Sequence, residues 1–234
     1  MLFRSTVIDG QANIRGGSGF SYGAGSRVLV LVDDLPLLAG DAGDVKWSFL
    51  PIENIGQVEV IKGASSALFG SSALNGVINM RTVVPTDTAE SSITMYSGVY
   101  DKPLDRSMKW WGSGPQMISG GQFSHRRKIG QFDLVAGGHY LNDQGYREGE
   151  SEERVRGNFN LRYHFKNIPG LTAGLAVNSQ LSKGGNYLFW QDDSSGALKP
   201  YGGTSGSSST LSLYTTTRTY RSEEHTSELQ SHSD

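Results

Sequence analysis

The sequence predicts a mostly β fold from three observations. Six runs of about ten residues after residue 90 alternate apolar and polar side chains with the period of a β-strand. The gaps between these runs are alternately long and short. Before residue 85, two runs rich in β-branched residues enclose a segment made almost wholly of Gly, Ala and Ser. No apolar run reaches the roughly 18 residues of a membrane-spanning helix, so none is predicted.

The small-residue segment lies within residues 57–82, which read QVEVIKGASSALFGSSALNGVINMRT. Two strands are predicted at its ends from the β-branched residues Val58, Val60, Ile61, Val77 and Ile78. Small residues can also cradle a phosphate, but a P-loop needs Gly-Lys-Ser/Thr opening a helix, and here Lys62 precedes Gly63. We therefore expect Gly63, Gly70 and Gly76 to permit tight bends and close backbone packing.

Together with residues upstream, this segment resembles the plug domain of TonB-dependent outer-membrane receptors. The matching pieces follow one another as NIRG, RVLVLVDDLP, PIENI, VEVIKG, SALFG and ALNGVIN. The motif positions are Asn13, Ile14, Gly16, Asp33, Asp34, Pro36, Gly63, Gly70, Gly76 and Asn79. The resemblance implies an α+β plug domain over residues 1–85 that is incomplete at its N-terminus.

Two positions depart from the family pattern. The family usually has Asp-Gly where this chain has Asp33-Asp34, so a turn that often relies on Gly is made by Asp, which tolerates a left-handed backbone less well. The family usually has Arg where this chain has Lys62. Lysine offers a point charge rather than a bidentate fork, so we expect a less directional contact there.

The predicted strands follow a proline-containing break at residues 83–87. They span residues 91–100, 117–125, 131–142, 154–165, 171–181 and 210–220. Outer-membrane barrels have short periplasmic turns and long external loops, and the first gap, residues 101–116, is long, as expected for a chain entering from the periplasm. The resemblance implies that residues 90–220 form about the first six strands of a large antiparallel transmembrane β-barrel, with about 22 strands when complete.

The sequence offers no support for an enzyme, a cofactor or a metal site. There is no G-x-S-x-G elbow, no histidine pair at ligand spacing and no calcium-loop ladder. Arg154, Arg156 and Arg162 share one face of a predicted strand, and we expect that face to be the lumen. Trp110 and Trp111 suit an interfacial aromatic girdle.

The resemblance implies energy-coupled uptake of a scarce ligand across the outer membrane of a Gram-negative bacterium. An iron–siderophore is the first expectation, with cobalamin or a glycan as alternatives. The implied partners are outer-membrane lipid, the small ligand and the TonB–ExbB–ExbD complex, acting through a segment missing here. Nucleic acid is not expected, because the net charge is −2. A soluble Gly-rich β adhesin or ligand-binding module remains the alternative.

The family also implies which residues hold the plug in place. Arginines of its plug motifs pair with barrel glutamates, and the matching positions here are Arg15 and Lys62, with Glu59 as a further buried-charge candidate. By position alone, we expect ligand-side loops of the plug to carry Gly19, Phe20, Tyr22, Asp44 and Trp47.

Both ends of the chain carry separate expectations. The first ten residues have no apolar signal-peptide region and no small-residue cleavage site, so we expect a fragment that begins inside a domain. Residues 221–234, RSEEHTSELQSHSD, resemble the in-frame translation of a sequencing adapter. We expect them to have no biological role.

Overall fold

The computed structural model describes residues 28–37, 47–63, 69, 73, 75–104, 106, 109–187 and 203–219. Within these ranges the chain forms two β-sheets, one of four strands and one of six. The described ranges also contain two short 3-10 helices, Trp47–Phe49 and Ile52–Asn54. No helix in the described ranges is long and apolar enough to cross a membrane.

The four-stranded sheet consists of β1 (Val28–Val32), β2 (Leu35–Pro36), β3 (Ile55–Lys62) and β4 (Gly76–Thr82). The strand order is β2-β1-β4-β3, with β1 parallel to β4 and the other pairs antiparallel. The strands predicted around the small-residue segment are therefore confirmed as β3 and β4. They pair directly, with Val60 opposite Ile78.

The core of this N-terminal domain lies on both faces of β1. One cluster contains Val28, Val30, Leu50, Ile78 and Met80, and the other contains Leu29, Leu31, Ala73 and Val77. A strand buried on both faces needs a continuous apolar sequence, and β1 reads VLVLV. The centre of the domain is therefore set by this short run.

The six-stranded sheet, here called the wall, is antiparallel and keeps the order of the chain. Its strands are β5 (Glu90–Val99), β6 (Met117–Ile129), β7 (Phe132–Asp143), β8 (Ser151–His164), β9 (Leu171–Tyr187) and β10 (Gly203–Thr219). All six predicted strands are present. The predicted gap at residues 126–130 is wrong, because β6 continues to Ile129 and only Gly130 and Gln131 form the turn. Three consecutive basic residues, Arg126 to Lys128, interrupt the alternation that marks a strand.

The two faces of the wall differ. One face is covered in part by the N-terminal domain, which buries Val135 and Arg156. The other face exposes apolar side chains, among them Ile93, Met95, Val99, Phe123, Val155, Leu175 and Leu181. Near the short turns this outward face also carries packed aromatic rings, with the centroid of the Tyr163 ring 4.9 Å from those of both Phe132 and Phe165.

Candidate functional site

A buried polar contact joins the N-terminal domain to the wall. Glu53 Oε2 lies 2.7 Å from Arg156 of β8, and Asn158 donates to Glu53 Oε1 at 2.6 Å. Asn54 donates to Asn158 Oδ1 at 2.6 Å. The side chains of Glu53 and Arg156 are only 2% and 4% exposed. We call Glu53, Asn54, Arg156 and Asn158 the lock.

Local structure aims both sides of the lock. The 3-10 helix at Ile52–Asn54 follows Pro51, whose carbonyl accepts the N–H of Asn54 at 3.0 Å, and the carbonyl of Asn54 accepts the N–H of Val83 at 2.9 Å. This tight turn points Glu53 at the wall. On β8, residues two apart share a face, so Arg156 and Asn158 both point inward.

A glycine on β7 lets the two domains approach. A Cβ added to Gly137 would lie 2.9 Å from Asn158 Nδ2 and closer still to Asn54 Nδ2. Any larger residue would therefore have to displace the Asn54 and Asn158 amides of the lock.

The lock is a charged contact removed from water. Both carboxylate oxygens of Glu53 are occupied, and Arg156 also donates to the carbonyl of Ser48 at 2.8 Å. Taking one partner from a buried pair leaves an uncompensated charge and destabilises strongly, by roughly 3–5 kcal/mol. The contact can therefore hold the domain in one orientation against the wall.

The Asp33-Asp34 turn is held by its own carboxylates. Both residues have positive φ angles, 50° and 68°. Asp33 accepts from the backbone and hydroxyl of Thr82 at 2.9 and 2.5 Å, and Asp34 accepts from Asn79 and Arg81, each at 2.7 Å. Partial burial lowers the pKa of Arg81, but the hydrogen bond and charge of Asp34 outweigh it and the pKa ends above its usual value. These bonds to β4 offset the steric cost of the positive φ angles, a cost that glycine would not incur at these positions.

The predicted latch residues lie apart from the lock. Lys62 is exposed at the end of β3, and no ion-pair partner for it exists among the described residues. Glu59 accepts from Gln57 at 3.1 Å and lies 3.7 Å from Arg81, so its contacts are within its own domain. Arg15 lies outside the described residues. A latch formed by these three residues stays a prediction.

Of the remaining predicted positions, some lie among the described residues and others lie outside them. Trp47 begins a 3-10 helix and packs against the core cluster around Val30. Gly63 and Gly76 have φ angles of 112° and 154°, and Pro36 ends β2. Outside the described residues lie Asn13, Ile14, Gly16, Gly19, Phe20, Tyr22, Asp44 and Gly70. In the described part of the chain, no three His, Asp or Glu residues gather as a metal site.

Sequence reasoning missed the lock itself. Glu53 belongs to the PIENI piece of the motif, and Arg156 was expected in the lumen, but nothing in the sequence pairs two residues 103 positions apart. The available signal was an acidic residue between Ile52 and Asn54, in a motif that begins with Pro51. Only the docking of the N-terminal domain on the wall shows that the partner of Glu53 is Arg156.

A second cluster joins the loop after β5 to the loop after β7, at the end of the wall away from the Gly130 turn. Trp110 donates to the carbonyl of Tyr146 at 3.0 Å, and the Trp111 and Tyr146 rings lie 6.1 Å apart. Trp111 is 7% exposed, so the expected place in an interfacial girdle is wrong for this residue. Tyr100 donates to Asp143 at 3.0 Å, and burial, with help from that carboxylate, raises the pKa of Tyr100 to about 12.

Comparison with known proteins gives these features a family. Residues 4–77 match the model of the TonB-dependent receptor plug domain. The chain is 31% identical over 110 residues to the vitamin B12 transporter BtuB of Vibrio vulnificus strain YJ016, covering 44% of this chain and 18% of that protein.

Solved structures agree on the fold. The siderophore receptor PirA from Pseudomonas aeruginosa aligns with a TM-score of 0.52 at 20% identity, covering 68% of this chain and 26% of that one. PirA from Acinetobacter baumannii aligns with a TM-score of 0.51 at 19% identity, covering 68% and 24%. The chain thus spans about a quarter or less of these relatives. Residues 4–77 are therefore a TonB-dependent receptor plug domain, and the described residues have the fold of such a domain docked on six strands of a barrel wall.

Proposed function

We propose that the receptor containing this chain takes up a scarce ligand across the outer membrane of a Gram-negative bacterium. In this proposal the plug closes the barrel until the TonB–ExbB–ExbD complex moves it. The observation that supports it most is the lock, a desolvated ion pair between two separate domains, with side chains 2% and 4% exposed.

The chemistry of the lock suits a plug that must hold and then release. An ion pair with additional hydrogen bonds is directional, so it fixes one orientation while it is closed. Once it opens to water, both ions regain hydration, which offsets much of the lost attraction. A purely apolar contact of similar size would expose a surface that water solvates poorly.

The outward face of the wall supports a membrane location. Met95 is 83% exposed, and its outward neighbours on β5, Ile93 and Val99, are also largely exposed. These side chains alternate with Thr94 and Tyr96 on the inner face. An apolar band on the outside of a barrel is the surface that lipid covers.

The relatives support the choice of ligand class. Two of the structural neighbours are named siderophore receptors and the curated relative a vitamin B12 transporter. We propose an iron–siderophore as the ligand, with cobalamin and a glycan as the alternatives to test beside it. A soluble Gly-rich β adhesin is the competing class, and the exposed apolar band argues against it.

The test uses the full-length receptor expressed in an outer-membrane host that lacks its own siderophore and cobalamin receptors. Uptake of radiolabelled ferric enterobactin and of radiolabelled cyanocobalamin is measured with the proton gradient intact and after its dissipation. We expect uptake of one probe that stops when the gradient is removed. A membrane-inserted receptor that takes up neither these probes nor oligosaccharides would contradict transport, and a receptor recovered in the soluble fraction would support the adhesin.

A further inference from the structure

Charged side chains are rare on the outward face of the wall. The described side chains of β5 to β9 place only Arg127, Glu153 and Lys183 there as permanently charged groups. Glu153 and Lys183 lie directly opposite each other on β8 and β9, so each faces a counter-charge. Arg127 lies opposite Leu134 and has no ion-pair partner among the described residues.

The neighbouring Arg126 has an ion-pair partner because it lies on the other face of the sheet. Arg126 points inward and forms an ion pair with Glu90. One position along the strand, Arg127 points outward into the apolar band and is exposed. Its closest polar neighbours on that face are His125, two residues back on β6, and Ser91, which lies opposite His125 on β5.

The position of Arg127 along β6 indicates how deep its side chain would lie in the membrane. It lies three residues before the turn at Gly130, at the same end as residues 83–89, which connect the plug to β5. The outward aromatic rings of Phe132 and Tyr163 lie at this end, with Ile129 opposite Phe132. Arg127 is one outward position further from the turn, about 7 Å along the strand. A lipid-facing arginine is costly at the bilayer centre but well tolerated near an interface.

We propose that Arg127, together with His125 and Ser91, binds the headgroup phosphate of an anionic phospholipid in the periplasmic leaflet of the outer membrane. The inference rests on the proposed function, because it requires the wall to be inserted in that membrane. A guanidinium presents a planar fork that matches two phosphate oxygens. Lipid phosphate thereby supplies the counter-charge that the protein supplies to Lys183.

His125 completes the site by its fixed orientation. The hydroxyl of Ser91 lies 2.8 Å from His125 Nδ1. When that hydroxyl donates to Nδ1, the ring proton sits on Nε2, which then donates to a phosphate oxygen. Phe123 and Ile129 on either side of this patch are exposed and apolar, and they suit the acyl chains of the same lipid.

The test compares lipid retention by matched variants of the full-length receptor. Receptor is reconstituted in nanodiscs of phosphatidylethanolamine with a minority of phosphatidylglycerol, and the bound phosphatidylglycerol is counted by native mass spectrometry after detergent release. We expect Arg127→Gln to reduce the retained phosphatidylglycerol about fivefold. We expect Arg127→Lys to keep most of it and His125→Ala to lose a smaller share. Lys183→Gln, an outward cation with its own counter-charge, is the control and should retain the wild-type amount.

Two further readouts keep failures distinct. Recovery from outer membranes in a heat-modifiable form reports insertion, and a receptor that does not insert would overturn both the proposed function and the lipid site. An inserted receptor in which Arg127→Gln and wild type retain equal phosphatidylglycerol would overturn the lipid site alone. Equal losses in Arg127→Gln and Lys183→Gln would also overturn it, because the effect would then be general to outward cations.

Discussion

The inward and outward faces of the wall are built from the same strands and handle charge in opposite ways. Two inward arginines are paired with acids, Arg156 with Glu53 and Arg126 with Glu90, and the inward His164 lies 2.6 Å from Asp133. On the outward face, apolar side chains dominate, and the charged groups lie near the strand ends. The period of two in a strand makes this possible, because adjacent residues meet different surroundings.

The comparison also explains why the plug has a defined orientation. The inner face offers fixed charges and amides that only a matching partner satisfies, whereas the outer face offers mostly apolar area, which by itself has no preferred partner. Specific docking therefore belongs inside, and solvation by lipid belongs outside. This division between an inner face that docks the plug and an outer face that meets lipid is testable in the full-length receptor. The present chain alone covers only 18% of the length of its BtuB relative.

The largest effect is expected at the lock. Glu53→Ala leaves the Arg156 guanidinium buried without its counter-charge, and we expect the plug–wall contact to lose about 3–5 kcal/mol. Hydrogen exchange of residues 52–54 should speed up accordingly. Glu59→Gln is the matched control, because Glu59 pairs with Arg81 in a partly exposed position, where an ion pair contributes about 0–1 kcal/mol.

A double-mutant cycle sharpens the same test. Removing both Glu53 and Arg156 should recover part of the loss, since no charge is then left buried alone. Strictly additive losses for the two single variants would contradict direct coupling across the interface.

The next largest effect is expected on the outward face. Met95 lies near the middle of β5, so Met95→Arg places a charge against the lipid and should destabilise the folded receptor by about 2–4 kcal/mol. Denaturant titration of receptor refolded in vesicles measures the loss. Thr94→Arg, one residue away on the inner face, should cost clearly less, and an equal loss at the two sites would refute the assignment of the faces.

A smaller effect is expected where the plug touches the wall. Gly137→Ala adds a methyl group against Asn158 and Asn54, and overpacking of this kind costs about 1–3 kcal/mol. Gly138→Ala adds the same group on the outward face, where its nearest neighbour is the carbonyl oxygen of Arg156 at 3.5 Å. We expect faster exchange of residues 52–54 in the first variant and no change in the second.

The smallest effect is expected at the loop end of the wall, outside both faces. The pKa of Tyr100 is raised to about 12 in the folded protein, above the value of about 10 in an unfolded chain. Its contribution to stability is therefore fully present below pH about 10 and is lost as the pH rises through about 12. Ultraviolet titration of tyrosinate should show one late-titrating group that disappears in Tyr100→Phe. An unchanged titration would contradict the Tyr100–Asp143 bond.

The strands were predictable because local patterns carry them. Alternation placed all six wall strands, and the β-branched runs placed β3 and β4. The end of β6 was missed because Arg126, Arg127 and Lys128 are all polar, although they point to different faces. A charge that pairs inside and a charge that faces lipid look alike in a sequence.

The candidate site was predictable only in outline. The motif series located the plug, and the strand pattern located Arg156 on an inner face. The family latch suggested plug cations, whereas the contact in the described residues has the opposite polarity, with a plug acid and a wall arginine. Boundaries at residues 85, 90 and 220 stay predictions.

By itself, the sequence determined the strands, their faces and the family, because hydrophobic periodicity and glycine-rich motifs act over a few residues. The tertiary structure alone decided that Glu53 meets Arg156 and that Gly137 leaves room for Asn54. The reason is physical. A buried ion pair depends on the docking of two domains more than 100 residues apart, and no local preference of either residue encodes that geometry.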